Sequence, residues 1–265
     1  KVVLEVIPPF ALLATRLVLG ILALGAALIF RTRAKMTRRQ FWKIFLVGFV
    51  GYGISLGFQF VGTKLSTASN GSLVTSATPA FVLFFASFLL GEKITARKLL
   101  ALVISTLGVI AVINPRNAEL SPDLFWGNLS LLAAALTWAL YSVLVKKVSR
   151  TGDLLTSSAI MLAGGIPSSL LFGFWEIQSQ GIGEITLGIV GGILFLGIIS
   201  TAIAMFLWNY AFAELPAAVA SLTFFAQPVV GTILGALFLG EQITRLFLFG
   251  GLLISIGLAI ASTEK

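Results

Sequence analysis

Apolar runs of 18–24 residues, separated by short polar connectors, occupy most of the chain. A helix of about 20 apolar residues crosses the hydrocarbon core of a bilayer, and the connectors are too short to form a separate soluble domain. The pattern therefore predicts an all-α polytopic membrane protein with nine spans. These are Pro8–Phe30, Phe41–Val61, Thr67–Leu90, Ala96–Ile113, Gly127–Lys147, Leu154–Phe174, Leu187–Tyr210, Pro216–Leu239 and Arg245–Ser262.

A repeated hexapeptide divides this pattern into two halves. Leu-Gly-Glu-x-Ile-Thr occurs at Leu90–Thr95 and again, 149 residues later, at Leu239–Thr244. A repeat that spans more than half of the chain indicates a duplicated domain rather than a stack of small units. We predict an N-terminal repeat over residues 1–115 and a C-terminal repeat over residues 123–263. Further identities at the same offset are Ser72 with Ser221, Leu73 with Leu222, Ala77 with Ala226, Pro79 with Pro228 and Gly108 with Gly257.

The same offset accounts for an odd number of spans. The C-terminal repeat opens with the span Gly127–Lys147, and the equivalent helix of the N-terminal repeat would lie ahead of Lys1. We therefore expect a parent protein with ten spans, five in each repeat, whose first span is missing from the nine predicted here. Because an odd number of spans inserts the second copy upside down, the two five-helix repeats are expected to be inverted.

Basic residues indicate the orientation of the spans. If the connector that holds Arg31 and Arg39 is cytoplasmic, alternate connectors place 13 Lys and Arg residues inside and four outside, with Arg16 left within a span. This asymmetry is what the positive-inside rule predicts. It also accounts for the net charge of +8, so we expect no nucleic-acid partner.

Composition narrows the class of protein further. Hydrophobic residues make up 58% of the chain and charged residues 11%, whereas a soluble domain carries about 25% charged residues. The chain has no Cys and no His, which removes thiol chemistry, imidazole bases and the commonest transition-metal ligands. We therefore expect no metal, no cofactor and no enzymatic activity.

Several motifs together resemble the drug/metabolite transporter superfamily, specifically its EamA-type members. They are the duplicated hexapeptide, the proline ahead of it in each copy, the glycine in the last helix of each copy, and Ala14-Thr15-Arg16 in the first visible helix. The resemblance implies a ten-helix carrier of the cell inner membrane with both termini in the cytoplasm. Members of this superfamily move amino acids, small metabolites or drugs, often outward.

Polar and aromatic side chains within the spans are candidates for a substrate site. Trp138 lies in the middle of its span, with Tyr141 one turn further on, and this stripe is interpreted either as core packing or as a cavity wall. Tyr52 and Gln59 share one helix face with Ser55. The predicted lining consists of Tyr52, Gln59, Asn70, Trp138, Tyr141, Thr201, Asn209 and Gln227.

Two of these candidates are amides, Asn70 and Gln227, which are costly to bury without partners. Thr201 and Trp208 stand 149 residues after Tyr52 and Gln59, and Asn209 follows directly. Trp208 itself is expected in the interfacial belt of aromatic residues, together with Trp42, Trp126 and Trp175.

Charged residues near the spans have two interpretations. Arg16 is expected either to bind an anionic group of a substrate or to pair with Glu5 and backbone carbonyls. Glu92 and its repeat Glu241 are expected to be structural, because each precedes a threonine that can cap the next helix. No span clearly contains a titratable Asp, Glu or His, which favours facilitated exchange or uniport over proton antiport.

The sequence thus predicts a secondary transporter that works by alternating access, with a central cavity between the repeats. The expected substrate is a small polar or amphipathic metabolite, with amino acids as the favoured class. The alternatives are a passive channel or facilitator and, less favoured, a membrane-embedded enzyme. The expected partners are this substrate and the lipid bilayer, and the chain is expected to be a monomer or a homodimer.

Overall fold

A computed structural model of the chain describes residues 2–29, 36–66, 68–113, 124–149, 153–226, 229–230 and 245–262. The described residues are overwhelmingly helical, and no strand occurs among them. The helices are α1 Val2–Val6, α2 Pro9–Ile29, α3 Arg38–Leu65, α4 Ala68–Thr75, α5 Thr78–Leu90, α6 Ala96–Ile113, α7 Phe125–Ser149, α8 Leu154–Gly164, α9 Ile166–Gln180, α10 Leu187–Glu214, α11 Ala217–Leu222 and α12 Arg245–Ser262.

Five helical segments are long and apolar enough to cross a membrane, counted within the described part of the chain. They are α2, α3, α7, α10 and the pair α8–α9, which runs from Leu154 to Gln180. Large apolar side chains cover the outside of the bundle: Phe88 is 81% exposed and Leu187 88% exposed. A soluble monomer rarely presents such a surface, so this face is suited to lipid. The chain is an all-α membrane protein.

Helix bounds in the two halves coincide at the offset of 149 residues. Helix α3 begins and ends 149 residues before α10, and α6 does the same relative to α12. Thr37 and Thr186 stand at equivalent positions, and each accepts a hydrogen bond from the backbone N–H three residues on, as N-cap of α3 and α10. Both long helices also contain a π-helical segment, Phe49–Ser55 in α3 and Phe195–Ile203 in α10.

Two of the predicted spans are broken rather than continuous. The predicted span Thr67–Leu90 consists of α4 and α5, which are interrupted after Thr75, and Pro79 lies in the first turn of α5, where its missing N–H is tolerated. The predicted span Leu154–Phe174 consists of α8 and α9, with the break at Gly165. In the second half, α11 gives way to a 3-10 turn at Thr223–Phe225, the position equivalent to the α4–α5 break.

The repeated hexapeptide has a local physical explanation in the first half. Gly91 ends α5 with a φ of 67°, a left-handed conformation that favours glycine. Thr95 then accepts a hydrogen bond from the Lys98 backbone N–H (3.2 Å) and so caps α6, as predicted from the sequence. The second copy, which includes Glu241, lies outside the described residues.

Glycines bring the helices of the bundle into direct backbone contact. A Cβ atom added to Gly48 in α3 would collide with the backbone of Met161 in α8. One added to Gly164 in α8 would lie within contact distance of the Phe45 carbonyl oxygen in α3. The two helices therefore cross at a pair of glycines, which is a common way to pack helices in membranes.

Helices α6 and α12 pack together through reciprocal contacts. A Cβ on Gly108 would lie 2.7 Å from the Gly250 carbonyl oxygen and 2.8 Å from the Ile254 side chain. A Cβ on Gly257 would meet the Ala101 carbonyl oxygen at 2.9 Å and the Ser105 hydroxyl. The residues contacted by the two glycines also form equivalent pairs. Ala101 lies 149 positions before Gly250, and Ser105 lies 149 positions before Ile254.

We predict that Gly48→Val lowers the thermal stability of the detergent-solubilised protein by about 1–3 kcal/mol or more, because the crossing of α3 and α8 leaves no room for a side chain. Gly25→Val is the matched control, since a Cβ at Gly25 meets no atom within 4 Å. Thermal melting monitored by tryptophan fluorescence measures both variants. Equal melting temperatures would show that the crossing tolerates a side chain.

Candidate functional site

A central cavity of about 350 Å³ lies among α3, α7, α10 and the helix breaks that follow α4 and α11. Its described lining combines hydroxyl groups, one amide, aliphatic side chains and aromatic rings, and contains no charged residue. The volume falls in the range of small-molecule sites. The lining residues are Ser55, Leu56, Gln59, Thr75, Thr78, Ala134, Ala135, Trp138, Ser200, Ala204, Met205, Trp208, Thr223 and Phe224.

Equivalent positions of the two halves line this one cavity. Four pairs of lining residues are separated by 149 positions. One member of each pair comes from the first half and the other from the second, so both halves contribute the same part of their folds. The pairs are Ser55 with Ala204, Leu56 with Met205, Gln59 with Trp208 and Thr75 with Phe224.

Trp138 forms part of the cavity wall near the middle of α7. Its ring centroid lies 4.9 Å from that of Tyr141 and 6.0 Å from those of Tyr52 and Trp208. The indole N–H is buried and has no hydrogen-bond partner among the described residues. A buried polar group without a partner is costly, and this donor belongs to a residue that borders the cavity. Because the nitrogen itself has no exposed surface, a ligand in the cavity reaches this donor only if the indole ring turns.

Trp208 is a cavity residue that the sequence interpretation missed. It was expected in the interfacial belt, but α10 continues to Glu214, so Trp208 lies inside the bundle. Its indole N–H donates to the Ser142 hydroxyl at 3.0 Å. Its ring lies 5.7 Å from that of Phe224. The offset to Gln59 is the sequence signal that could have identified Trp208 as a lining residue.

Tyr52, Tyr141 and Asn209 form a hydrogen-bonded network next to the cavity. The Tyr141 hydroxyl lies 2.7 Å from the Tyr52 hydroxyl and donates to the Asn209 carboxamide oxygen at 2.6 Å. The Asn209 amide group donates to Ser158 at 3.1 Å and to Tyr52 at 3.4 Å. All three predicted residues are fully buried. The network joins α3, α7, α8 and α10, so it closes the space beside Trp138 rather than lining it.

Arg16 lies beside a second space of about 560 Å³, here called the Arg16 cavity, which borders α1, α2, α3 and α10. Its Nε donates to the Thr201 hydroxyl at 2.7 Å, and its Nη2 lies 3.4 Å from the Ser200 hydroxyl. The structure thus brings together two predicted site residues, Arg16 and Thr201. Glu5 is exposed and makes no ion pair with Arg16, so the expected pairing with Glu5 is wrong.

Of the predicted amides, Asn70 lies outside this arrangement. Asn70 is buried and donates to the Asn128 carboxamide oxygen at 3.0 Å, which also accepts from Ser66 at 2.6 Å. Asn70 is not among the residues that line the central cavity. Gln227 lies outside the described residues. Gln59, in contrast, lines both the central cavity and the Arg16 cavity.

Glu92 joins the two halves at one end of the bundle. Its Oε1 lies 3.2 Å from the Lys146 ammonium nitrogen and accepts a hydrogen bond from the Ala217 backbone N–H at 3.0 Å. Lys146 also donates to the Leu215 carbonyl oxygen at 2.6 Å. We call this group the Glu92–Lys146 contact. Its role at a helix N-terminus was expected, but the helix concerned is α11 of the other half rather than the following helix α6.

Glu176 is a carboxylate within a membrane span, which corrects the expectation that no span holds one. The sequence interpretation ended this span at Phe174, whereas α9 continues to Gln180. Glu176 is 6% exposed, and its Oε2 accepts hydrogen bonds from the backbone N–H groups of Phe10 (2.7 Å) and Ala11 (3.4 Å). It thereby satisfies the free N–H groups at the start of α2.

Comparison with known proteins identifies the family. The sequence model of the EamA-like transporter family matches residues 1–114 and 125–263. The chain belongs to this family. It is similar to the uncharacterized transporter YoaV of Bacillus subtilis, with 26% identity over 97% of this chain and 88% of YoaV. An uncharacterized transporter of Archaeoglobus fulgidus is 28% identical over 84% of this chain and 78% of its own.

One solved crystal structure, described only as that of a protein, has a similar fold. It covers 98% of this chain and 90% of its own, with a TM-score of 0.83 and 20% identity. The EamA-like chain is therefore a multi-pass membrane transporter, as the motifs in its sequence predicted. Its partners are the lipid bilayer and a small-molecule substrate, and its relatives are transporters rather than enzymes.

We predict that Tyr141→Phe destabilises this EamA-like transporter by about 1–3 kcal/mol, because it leaves the buried Asn209 oxygen without its donor. Tyr210→Phe is the control: Tyr210 is 51% exposed and its hydroxyl can be hydrated. The measurement is thermal melting of both purified variants in detergent. If Tyr141→Phe melts at the wild-type temperature, the network does not contribute to stability.

Proposed function

We propose that this EamA-like transporter carries small amphipathic metabolites, with amino acids as the favoured class, across the cell inner membrane by alternating access. The substrate binds in the central cavity. One observation carries the proposal: the cavity is lined by equivalent positions of the two halves, such as Gln59 and Trp208. Carriers built from internal repeats bind substrate at the interface between the repeats, near the bilayer midplane.

The proposal includes nine spans arranged as two inverted repeats, over residues 1–115 and 123–263. The contacts between α6 and α12 support inversion. Gly108 packs near Gly250 and Ile254, and these correspond to positions 101 and 105 of its own half. If the two equivalent helices ran parallel, each residue would contact its own equivalent. Here each glycine instead contacts positions that lie three to seven residues before its equivalent. Reciprocal contacts at that spacing fit antiparallel helices related by a two-fold axis.

The chemistry of the cavity supports a substrate with one apolar and one polar side. Trp138, Trp208 and Phe224 provide aromatic faces, while Ser55, Gln59 and Thr75 provide hydroxyl or amide groups. The indole N–H of Trp138, which has no acceptor among the described residues, can donate to a substrate once the ring turns towards the cavity. No charged residue in the described lining would demand a strongly ionic substrate. An amino acid or a similarly sized metabolite meets these requirements.

Closure at one end of the bundle supports alternating access. The Tyr52–Tyr141–Asn209 network fills the space beside the cavity, and the Glu92–Lys146 contact joins the halves further towards the same end. The distribution of basic residues assigns that end to the cytoplasm. Towards the other end, Gln59 borders both the central cavity and the Arg16 cavity. We infer a conformation closed to the cytoplasm, in which the Glu92–Lys146 contact must break for inward opening.

We further propose facilitated exchange or uniport rather than tight proton antiport. Glu176 lies in the last turns of α9, and its Oε2 already accepts from the backbone N–H groups that begin α2. A carboxylate engaged by the free N–H groups of a helix N-terminus is held in place by that helix. It is thus better suited to a structural role than to proton exchange.

Trp138→Phe is predicted to weaken apparent substrate affinity by about tenfold, because the ring is retained while the N–H donor is lost. The measurement is uptake of radiolabelled amino acids by proteoliposomes containing the full chain. Trp175→Phe is the matched control, since Trp175 is 66% exposed at the outside of the bundle. Wild-type kinetics for Trp138→Phe, in a chain that transports the probe, would remove this donor from the substrate site.

The Glu92–Lys146 contact predicts a change in access from the cytoplasmic side. The chain has no cysteine, so a single thiol can be placed in the central cavity with Met205→Cys. A part-buried ion pair contributes about 1 kcal/mol, so Lys146→Gln should raise the labelling rate of this thiol by about fivefold.

The reagent for this measurement is a membrane-impermeant thiol reagent applied to inside-out vesicles. Lys147→Gln is the control, because Lys147 is the adjacent, exposed lysine and makes no contact with Glu92. Equal labelling rates in the two backgrounds would mean that the Glu92–Lys146 contact does not hold the cytoplasmic side closed.

A further inference from the structure

Arg16 is a buried cation whose hydrogen-bonding capacity is only partly used. Its side chain is 5% exposed, yet its partners are two hydroxyl groups, at 2.7 Å (Thr201) and 3.4 Å (Ser200). A guanidinium carries five N–H donors, so most of its capacity remains available. The Thr201 hydroxyl donates onward to the Leu196 carbonyl oxygen at 2.7 Å and therefore brings no negative charge to the pair.

No anion compensates this charge within the described part of the chain. No carboxylate oxygen there lies within 4.0 Å of the Arg16 nitrogens. The nearest compensation is the ring of Phe60, whose centroid lies 5.3 Å from the guanidinium carbon. A cation–π contact of this kind is weak beside the cost of burying an unpaired charge. The site thus favours an anionic ligand.

The position of Arg16 links this anion site to the central cavity. Arg16 lines the Arg16 cavity, while its partner Ser200 lines the central cavity. Gln59 borders both spaces. An anionic group bound at Arg16 would therefore lie next to Ser200 and Gln59, which line the central cavity together with Trp138 and Trp208.

We propose that Arg16 binds the carboxylate of the transported substrate and selects carboxylic acids over neutral analogues of the same shape. This inference rests on the proposed transport function and names its substrate class. The described linings of both cavities contain no Asp or Glu, so nothing there requires an amino group. The recognised class is a small amphipathic monocarboxylate, with or without an α-amine. The planar guanidinium suits this group because it can donate to both carboxylate oxygens.

The test uses matched acid and amide probes: leucine with leucinamide, phenylalanine with phenylalaninamide, and 4-methylpentanoate with its amide. The full chain is reconstituted in phosphatidylcholine vesicles, and each unlabelled probe competes for flux of the labelled acid. Wild-type protein should prefer the acid by about tenfold or more, as expected for a charge-assisted pair. Arg16→Met should reduce this preference to about twofold or less by weakening the acid only.

Two further variants keep the result interpretable. Arg16→Lys retains the positive charge but not the planar group that donates to both carboxylate oxygens. Its preference for the acid should therefore fall between those of wild type and Arg16→Met. Arg39→Met removes an exposed arginine and should leave the preference unchanged. Should Arg16→Met fail to fold, Arg16→Lys alone decides: full wild-type preference in that variant contradicts recognition by the guanidinium fork.

The remaining outcomes separate this inference from the transport function. Transport without any preference for acid over amide overturns the role of Arg16 and leaves the function standing. Equal weakening of acid and amide in Arg16→Met makes Arg16 a structural residue and also overturns it. If wild-type flux requires added phosphatidylglycerol and Arg16→Met removes that requirement, the anion at Arg16 is a lipid phosphate and the inference is wrong. Absence of flux for every probe overturns both.

Discussion

The first backbone N–H groups of a helix have no partner within that helix, and a membrane supplies no water to satisfy them. In this transporter, two carboxylates from distant segments fill that role. Glu176 accepts from the N–H groups that begin α2, and Glu92 accepts from the one that begins α11. Both interactions cross between helices, so they fix where a helix starts and what it starts against. Helix α11, whose other end borders the central cavity, therefore begins at a fixed point against the first half.

The central cavity is lined by equivalent backbone positions of the two halves that carry different types of side chain. Gln59 and Thr75 are polar, whereas their equivalents Trp208 and Phe224 are aromatic. The contrast is reversed in the π-helical segments, where Tyr52 is aromatic and its equivalent Thr201 is polar. Pseudo-symmetric geometry with asymmetric side chains gives an amphipathic binding space without any buried acid in its described walls.

Much of this arrangement could be predicted from the sequence. The predicted bounds of α6 and α12 coincide with the helices, because hydropathy acts locally, as does the cap that Thr95 provides for α6. Trp138 could be assigned to a wall because an indole in mid-span is unusual. What the sequence could not supply were tertiary partners. Asn70 pairs with Asn128, and Glu92 reaches Ala217 rather than its own neighbour. Trp208 was misplaced because polar residues after it resembled the end of a span.

The reciprocal contact of α6 and α12 has a consequence for how such a chain can change over generations. Gly108 packs against Gly250 and Ile254, and Gly257 packs against the equivalent positions of the first half, Ala101 and Ser105. One alignment of the two helices therefore produces both contacts. Inserting one residue into either helix would disturb both contacts together, whereas an insertion in a connector would disturb neither. A surface of this kind is also complementary to its own copy. It is the kind of surface by which two identical halves associate about a two-fold axis.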